Sequence, residues 1–124
     1  LNFGPWEGVD IRTIKDAPGQ PFTNPGDYIP PEGAESFAQL YARSGEFVEQ
    51  VLLPLEGTYE TVLVVAHGGV NRSILNPVLQ IPVSDFWRVH MGNCATAILE
   101  CTDGKLSMLE YADSKSANTK SKLL

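Results

Sequence analysis

Basic residues, cysteines and long apolar runs are all scarce in this sequence, and each scarcity excludes a class of function. Nine Lys and Arg stand against fifteen Asp and Glu in 124 residues, giving a formal net charge of −6 and a pI near 4.7. A nucleic-acid surface is thereby excluded, because affinity for a polyanion rests mainly on Lys and Arg neutralising phosphates. What basicity exists gathers at Lys115, Lys120 and Lys122, in a Ser, Lys, Asn and Thr stretch with nothing to bury. Residues 114–124 therefore read as a disordered tail, and residues 1–113 as part of one domain with a modest core. No window approaches the roughly eighteen consecutive apolar residues of a membrane span, and no basic segment followed by an apolar run opens the chain. A soluble, cytoplasmic protein without membrane contact is expected. Cys94 and Cys101 are the two cysteines. Their spacing would place them on opposite faces of one strand, so they form neither a bridge, a zinc site nor a redox pair.

Against that background the stretch E-T-V-L-V-V-A-H-G-G-V-N-R, from Glu60 to Arg72, stands out. Thr61 to Ala66 is apolar and largely β-branched, without the polar alternation of a half-solvated strand, and is expected to be a strand buried on both faces of a parallel sheet. The strand ends on His67. Gly68 and Gly69 then let the backbone turn before a helical pattern of Val70, Ile74, Leu75, Val78 and Leu79, with Pro77 expected to kink or shorten it. His67 would thus sit at a strand carboxyl end beside a helix N-terminus, where open α/β sheets bind ligands and anions find unpaired N–H groups. A satisfied core histidine beside a tight turn is the plain alternative.

The remaining elements follow in order. Asn2 to Gly8 reads as a compact loop in which Phe3 and Trp6 fill a gap under the sheet, followed by a short helix over Val9 to Ile14. Prolines and glycines from Asp16 to Gly33 exclude helix and central strand, leaving a long loop that is either a lid over a site or a surface excursion. Glu35-Ser36 opens the best helix, with Phe37, Leu40, Tyr41, Phe47, Val48, Val51 and Leu52 forming a stripe toward the sheet, and Pro54 with Gly57 ending it. Ser84 is expected to cap a turn carrying Phe86 and Trp87. His90 is expected to be structural or exposed. Ala95 to Cys101 and Leu106 to Tyr111 flank Asp103-Gly104, a strong hairpin signal. Gly92-Asn93, just before, is a turn or a ligand contact. Helix, loop, buried strand, helix and a final antiparallel pair amount to an α/β fold.

The blocks N-F-G-P-W-E-G, G-A-E-S-F-A-Q-L-Y-A-R, V-L-V-V-A-H-G-G-V-N-R and G-N-C-A-T-A-I-L-E occur in the order found in the carboxyl-terminal two thirds of the histidine phosphatase, or phosphoglycerate mutase-like, superfamily, and the chain resembles that family from Leu1 to Tyr111. The resemblance implies a three-layer α/β fold with a mainly parallel sheet flanked by helices, an antiparallel C-terminal strand, and here no N-terminal strand or nucleophile segment. It implies a phosphate pocket of two histidines and two arginines, with a phosphohistidine on one histidine and no metal or other cofactor. His67 resembles the second, charge-stabilising histidine. Gly68 and Asn93 fall where substrate contacts are expected. Glu35 is either a helix-capping group or a contact to a pocket arginine, Arg72 is expected to pair with an acidic side chain rather than substrate, and Trp6 is a supporting residue.

Departures from the family pattern are equally plain. No Arg-His-Gly motif is present, and His67 and His90 are the two histidines. The family's acid/base glutamate would fall immediately before Leu1, and Leu1-Asn2-Phe3-Gly4 opens in mid-pattern with no initiator Met, so further sequence upstream is expected. The chain by itself is expected to be inactive, and to need a second copy or a strand-completing partner chain. A phosphatase acting on a small phosphorylated metabolite is the leading expectation. The alternatives are mutase-type phosphoryl transfer and a non-catalytic phospho-ligand or protein-interaction module.

Overall fold

Helix-forming and turn-forming signals in the sequence are realised closely in a computed structural model, which describes residues 1–14 and 19–113. The expected tail at 114–124, with its lysines, and Lys15 to Pro18 at the start of the long loop lie outside the described residues. In chain order the elements are α1 (Ile11–Ile14), α2 (Phe37–Phe47), α3 (Gly68–Val78), β1 (Thr96–Thr102) and β2 (Lys105–Ala112), with single 3-10 turns at Gly4–Trp6, Pro25–Asp27 and Val83–Asp85. Among the described residues no helix is long and apolar enough to cross a membrane.

Helix α2 starts where a complete capping box forms: Ser36 Oγ accepts from Gln39 N at 3.1 Å, and Gln39 Oε1 accepts from Ser36 N at 2.8 Å. Ser36, not Glu35, is therefore the cap. Past Phe47 the helix loosens into a π turn at Val48–Leu52 and a 3-10 turn at Leu53–Leu55 that contains Pro54, and the chain leaves it through Gly57 at φ 75°. The buried face of α2 is Phe37, Leu40 and Ser44. It meets α3 and the loop aromatics rather than a sheet, which corrects the expected orientation of the stripe. Ser44 Oγ and Ser73 Oγ lie 2.6 Å apart across the two helices, and Asn76 Nδ2 donates to Tyr41 Oη at 3.1 Å and to the Phe86 carbonyl at 3.1 Å. The core at this junction is Tyr28, Phe37, Leu40 and Phe86, with Trp6, Tyr41, Val70 and Trp87 packed around it. Phe3 and Trp6 serve that aromatic core, against Phe22 and Tyr28 respectively, and not the underside of a sheet.

The hairpin forms as the sequence indicated. Thr102 pairs with Lys105 around Asp103 (φ 52°) and Gly104 (φ 69°), a two-residue turn of the type that matches strand twist. Glu56 fastens its tip, accepting from Asp103 N and Gly104 N at 2.8 Å each. Opposite Ile98 and Leu99 a bulge adds Leu109 to β2, so β1 alternates without a break while β2 has two successive exposed residues, Leu109 and Glu110. Ser84 does not cap the following turn; Pro82 occupies the cap position and Ser84 lies inside it.

The largest departure concerns residues 61–66. They form no strand, and Leu63 and Val65 are 84% and 85% exposed. A strand is defined by its neighbours, and among the described residues β1 and β2 pair with one another in a two-stranded antiparallel sheet. No parallel partner flanks residues 61–66 there, so an apolar segment suited to two-sided burial is left open to solvent. The helices and the antiparallel pair are present; the mainly parallel, three-layer arrangement is not assembled by these residues.

Candidate active site

His67 occupies the N-cap position of α3 with extended backbone (φ −76°, ψ 156°), and its exposed imidazole is not used to cap the helix. Gly68 and Gly69 belong to the first helical turn itself, where the sequence suggested a turn ahead of a helix starting at Val70. Both stand against neighbours: a Cβ on Gly68 would stand 2.9 Å from Arg72 Nη1, so the side-chain end of Arg72 fills that space, and one on Gly69 would stand 3.9 Å from Leu1 Cβ. The first N–H groups of α3 have no intrahelical acceptor, and the helix dipole adds partial positive charge at the same end.

Asn71, which sequence reasoning did not single out, braces this turn. Its N–H donates to the His67 carbonyl at 3.0 Å, and its side-chain Nδ2 donates to the Ala66 carbonyl at 3.1 Å. The backbone on either side of the imidazole is thus tied to one residue. The sequence signal was only an amide in the first turn of a predicted helix.

Among the described residues no carboxylate pairs with Arg72, where an acidic partner was expected. Its Nε donates to the Val89 carbonyl at 2.8 Å, and its Cζ lies 5.1 Å from the centroid of the Trp87 ring. Burial pulls the guanidinium below its ordinary pKa, and Tyr111 opposes that shift. A delocalised cation tolerates such a half-buried, stacked setting better than an ammonium would.

Glu35 is engaged by Arg43 of α2 and by the backbone of Asn2. Its carboxylate accepts from Arg43 Nη2 at 3.1 Å, pairs with Arg43 Nε, and accepts from Asn2 N at 3.2 Å. The Arg43 hydrogen bond holds its carboxyl below the usual carboxylate range, against a smaller opposing effect of burial. Asn2, Glu35, Gln39 and Arg43 line an open hollow of about 660 Å³ that Leu1 also borders. Leu1 lies against Gly69, so this hollow and the start of α3 are neighbours.

Asn93 is exposed in a turn closed by Ala95 N and the Gly92 carbonyl at 3.2 Å, with Cys94 at φ 63°; no hydrogen bond among the described residues joins it to His67. Trp6 is a core-packing residue against Tyr28. His90 is exposed, with Nδ1 on the buried Asp113 carboxylate, and its carbonyl accepts from the Tyr111 hydroxyl.

A family model described as the histidine phosphatase superfamily (branch 1) matches residues 1–114. The chain belongs to that superfamily. Among curated proteins, one named "Putative phosphoserine phosphatase 2" from Hydrogenobacter thermophilus is 28% identical over 115 residues, covering 90% of this chain and 54% of the relative. The chain therefore spans about half the length of the curated histidine phosphatase relative it matches. No solved structure matches it.

Proposed function

We propose that this chain carries the charge-stabilising half of a histidine phosphatase active site, for hydrolysis of small phosphomonoesters through a phosphohistidine. The observation that carries the reading is His67 at the N-cap of α3, its imidazole facing solvent beside helix N–H groups that lack acceptors. In phosphoryl transfer negative charge spreads over the equatorial oxygens, and fixed donors stabilise it without reorganising. His67 would supply a ring N–H to one of those oxygens, and the backbone N–H of Gly68 is a candidate donor to a second.

The attacking imidazole is not His67 in this reading. A second histidine would form the P–N bond as the ester oxygen leaves with a proton from an acid, and water would then break that bond to release phosphate. His90, the other histidine of this sequence, is held by Asp113 and carries no such motif. The nucleophile, the pocket arginines and the acid are thus assigned to polypeptide other than these residues, and the 124-residue chain alone should not turn over. The open segment 61–66 supports the same view: a neighbouring strand, from further chain, a partner or a second copy, would pair its N–H and C=O groups and build the parallel sheet.

Hydrolysis is favoured over mutase chemistry because residues 19–33 contain no Lys or Arg, and a bisphosphorylated substrate would call for more positive charge near the site. The relative's name makes phosphoserine a reasonable first substrate. Asn93 remains a proposed rim contact, and the free thiols of Cys94 and Cys101 suit a reducing, cytoplasmic setting.

Crystals soaked in orthovanadate test the assignment. The anion is expected within hydrogen-bond reach of the His67 ring and the Gly68 or Gly69 N–H. An anion bound elsewhere, or a phosphohistidine on His67 during turnover, would overturn it.

A further inference from the structure

Gly68 and Arg72 lie one turn apart on α3, and the 2.9 Å between a Gly68 Cβ and Arg72 Nη1 shows that the guanidinium lies back against the turn that follows His67. From there a continuous series of contacts leads away. Arg72 Nε donates to the Val89 carbonyl at 2.8 Å, and the guanidinium lies over the Trp87 ring at 5.1 Å. The Trp87 indole N–H donates to the Pro21 carbonyl at 2.8 Å, and its ring stacks with Phe22 at a centroid distance of 6.1 Å. Pro21 and Phe22 stand in the long proline-rich loop, beside the buried Gln20, whose Oε1 accepts from Phe22 N at 2.5 Å.

The arginine ion pairs among the described residues engage Arg12, Arg43 and Arg88. Arg72 is paired with a carbonyl dipole and a π face, neither of which carries a neutralising charge, and its Nη1 lies beside Gly68, the residue after His67. Both of its contacts depend on the planar fork, which a lysine lacks.

We infer that Arg72 is a positioning residue that couples the placement of the loop over residues 19–33 to anion capture at the start of α3, with Trp87 as the link. The inference rests on the reading of His67 as the phosphate-holding histidine, and adds to it a route by which the loop can control that capture. Loop displacement withdraws the Pro21 acceptor from the indole, the indole loses its fixed plane, and the guanidinium above Gly68 loses its support. A bound anion has the converse effect, since coupling between two sites is reciprocal.

The test uses the 15N-labelled chain and its Arg72→Gln, Arg72→Lys and Trp87→Phe variants, with the amide shifts of Asp103 and Gly104 reporting that the hairpin is intact. Exchange of the Trp87 indole N–H is read directly, and inorganic phosphate is titrated while the Gly68 and Gly69 amides are followed. Arg72→Gln is expected to speed indole exchange by about tenfold and to weaken phosphate affinity at least about fivefold, the range of ordinary coupling between sites. Arg72→Lys, which keeps the charge, should restore neither. Trp87→Phe alters no charge and should still weaken phosphate at least about fivefold. Unchanged indole exchange in Arg72→Gln, or unchanged phosphate affinity in Trp87→Phe, overturns the coupling while leaving His67's role intact. A wild-type chain whose Gly68 and Gly69 amides ignore phosphate overturns the reading of His67, and the coupling with it.

Discussion

At the scale of single residues, Glu35 shows how one carboxylate can join segments that are distant in sequence. It bridges Asn2 in the first loop to Arg43 on α2, and the Arg43 hydrogen bond lowers its pKa from the ordinary 4.5. A carboxyl lowered in the folded state contributes stability above its unfolded pKa and loses it as pH falls through the folded value. Glu35→Gln should therefore be less stable than wild type in urea titrations at pH 7, and the difference should disappear below the folded pKa, where wild-type Glu35 is itself neutral. Persistence of the gap at low pH would show that shape, and not charge, carries the contact. Among the candidate site residues, the place of His67 just before a helix was legible because a histidine and two glycines precede an apolar pattern of helical spacing. The contacts Arg72 makes among the described residues, with Val89 and Trp87, were not legible because both lie away from it in sequence and one is a backbone carbonyl, which no residue pattern announces.

At the scale of elements, local chemistry was the reliable guide. The apolar spacing of Phe37, Leu40 and Tyr41 identified α2, and Asp103-Gly104 identified the hairpin, because both depend on interactions between near neighbours. Ser36→Ala removes the side-chain acceptor of the α2 capping box and should lower unfolding free energy by about 1 kcal/mol in denaturant titration. Leu40→Ala opens a cavity in the aromatic core and should cost about 2–5 kcal/mol. Residues 61–66 are the contrasting case. Their composition correctly describes a segment suited to burial on both faces, yet composition cannot supply the strands beside it, and pairing is a property of those strands.

On the scale of the whole molecule, the described residues enclose an aromatic core between α2, α3 and the proline-rich loop, while an apolar segment runs unprotected into the candidate site. Exposed apolar backbone with unpaired hydrogen-bonding groups favours association. Replacing Leu63 and Val65 together by Lys should reduce self-association in sedimentation velocity. It should change unfolding free energy by no more than about 0.5 kcal/mol per substitution, as for other exposed positions without partners. A larger loss would mean that these side chains are covered in solution. The chain belongs to the histidine phosphatase superfamily, and His67 stands exposed at the start of α3.

The most direct measurement is an orthovanadate titration of the 124-residue chain followed at the two imidazole rings by NMR. Saturable shifts confined to the His67 ring and absent from His90 are expected if the start of α3 holds the phosphoryl group. Shifts at His90 alone, or none at His67 when vanadate is in excess, would contradict that assignment.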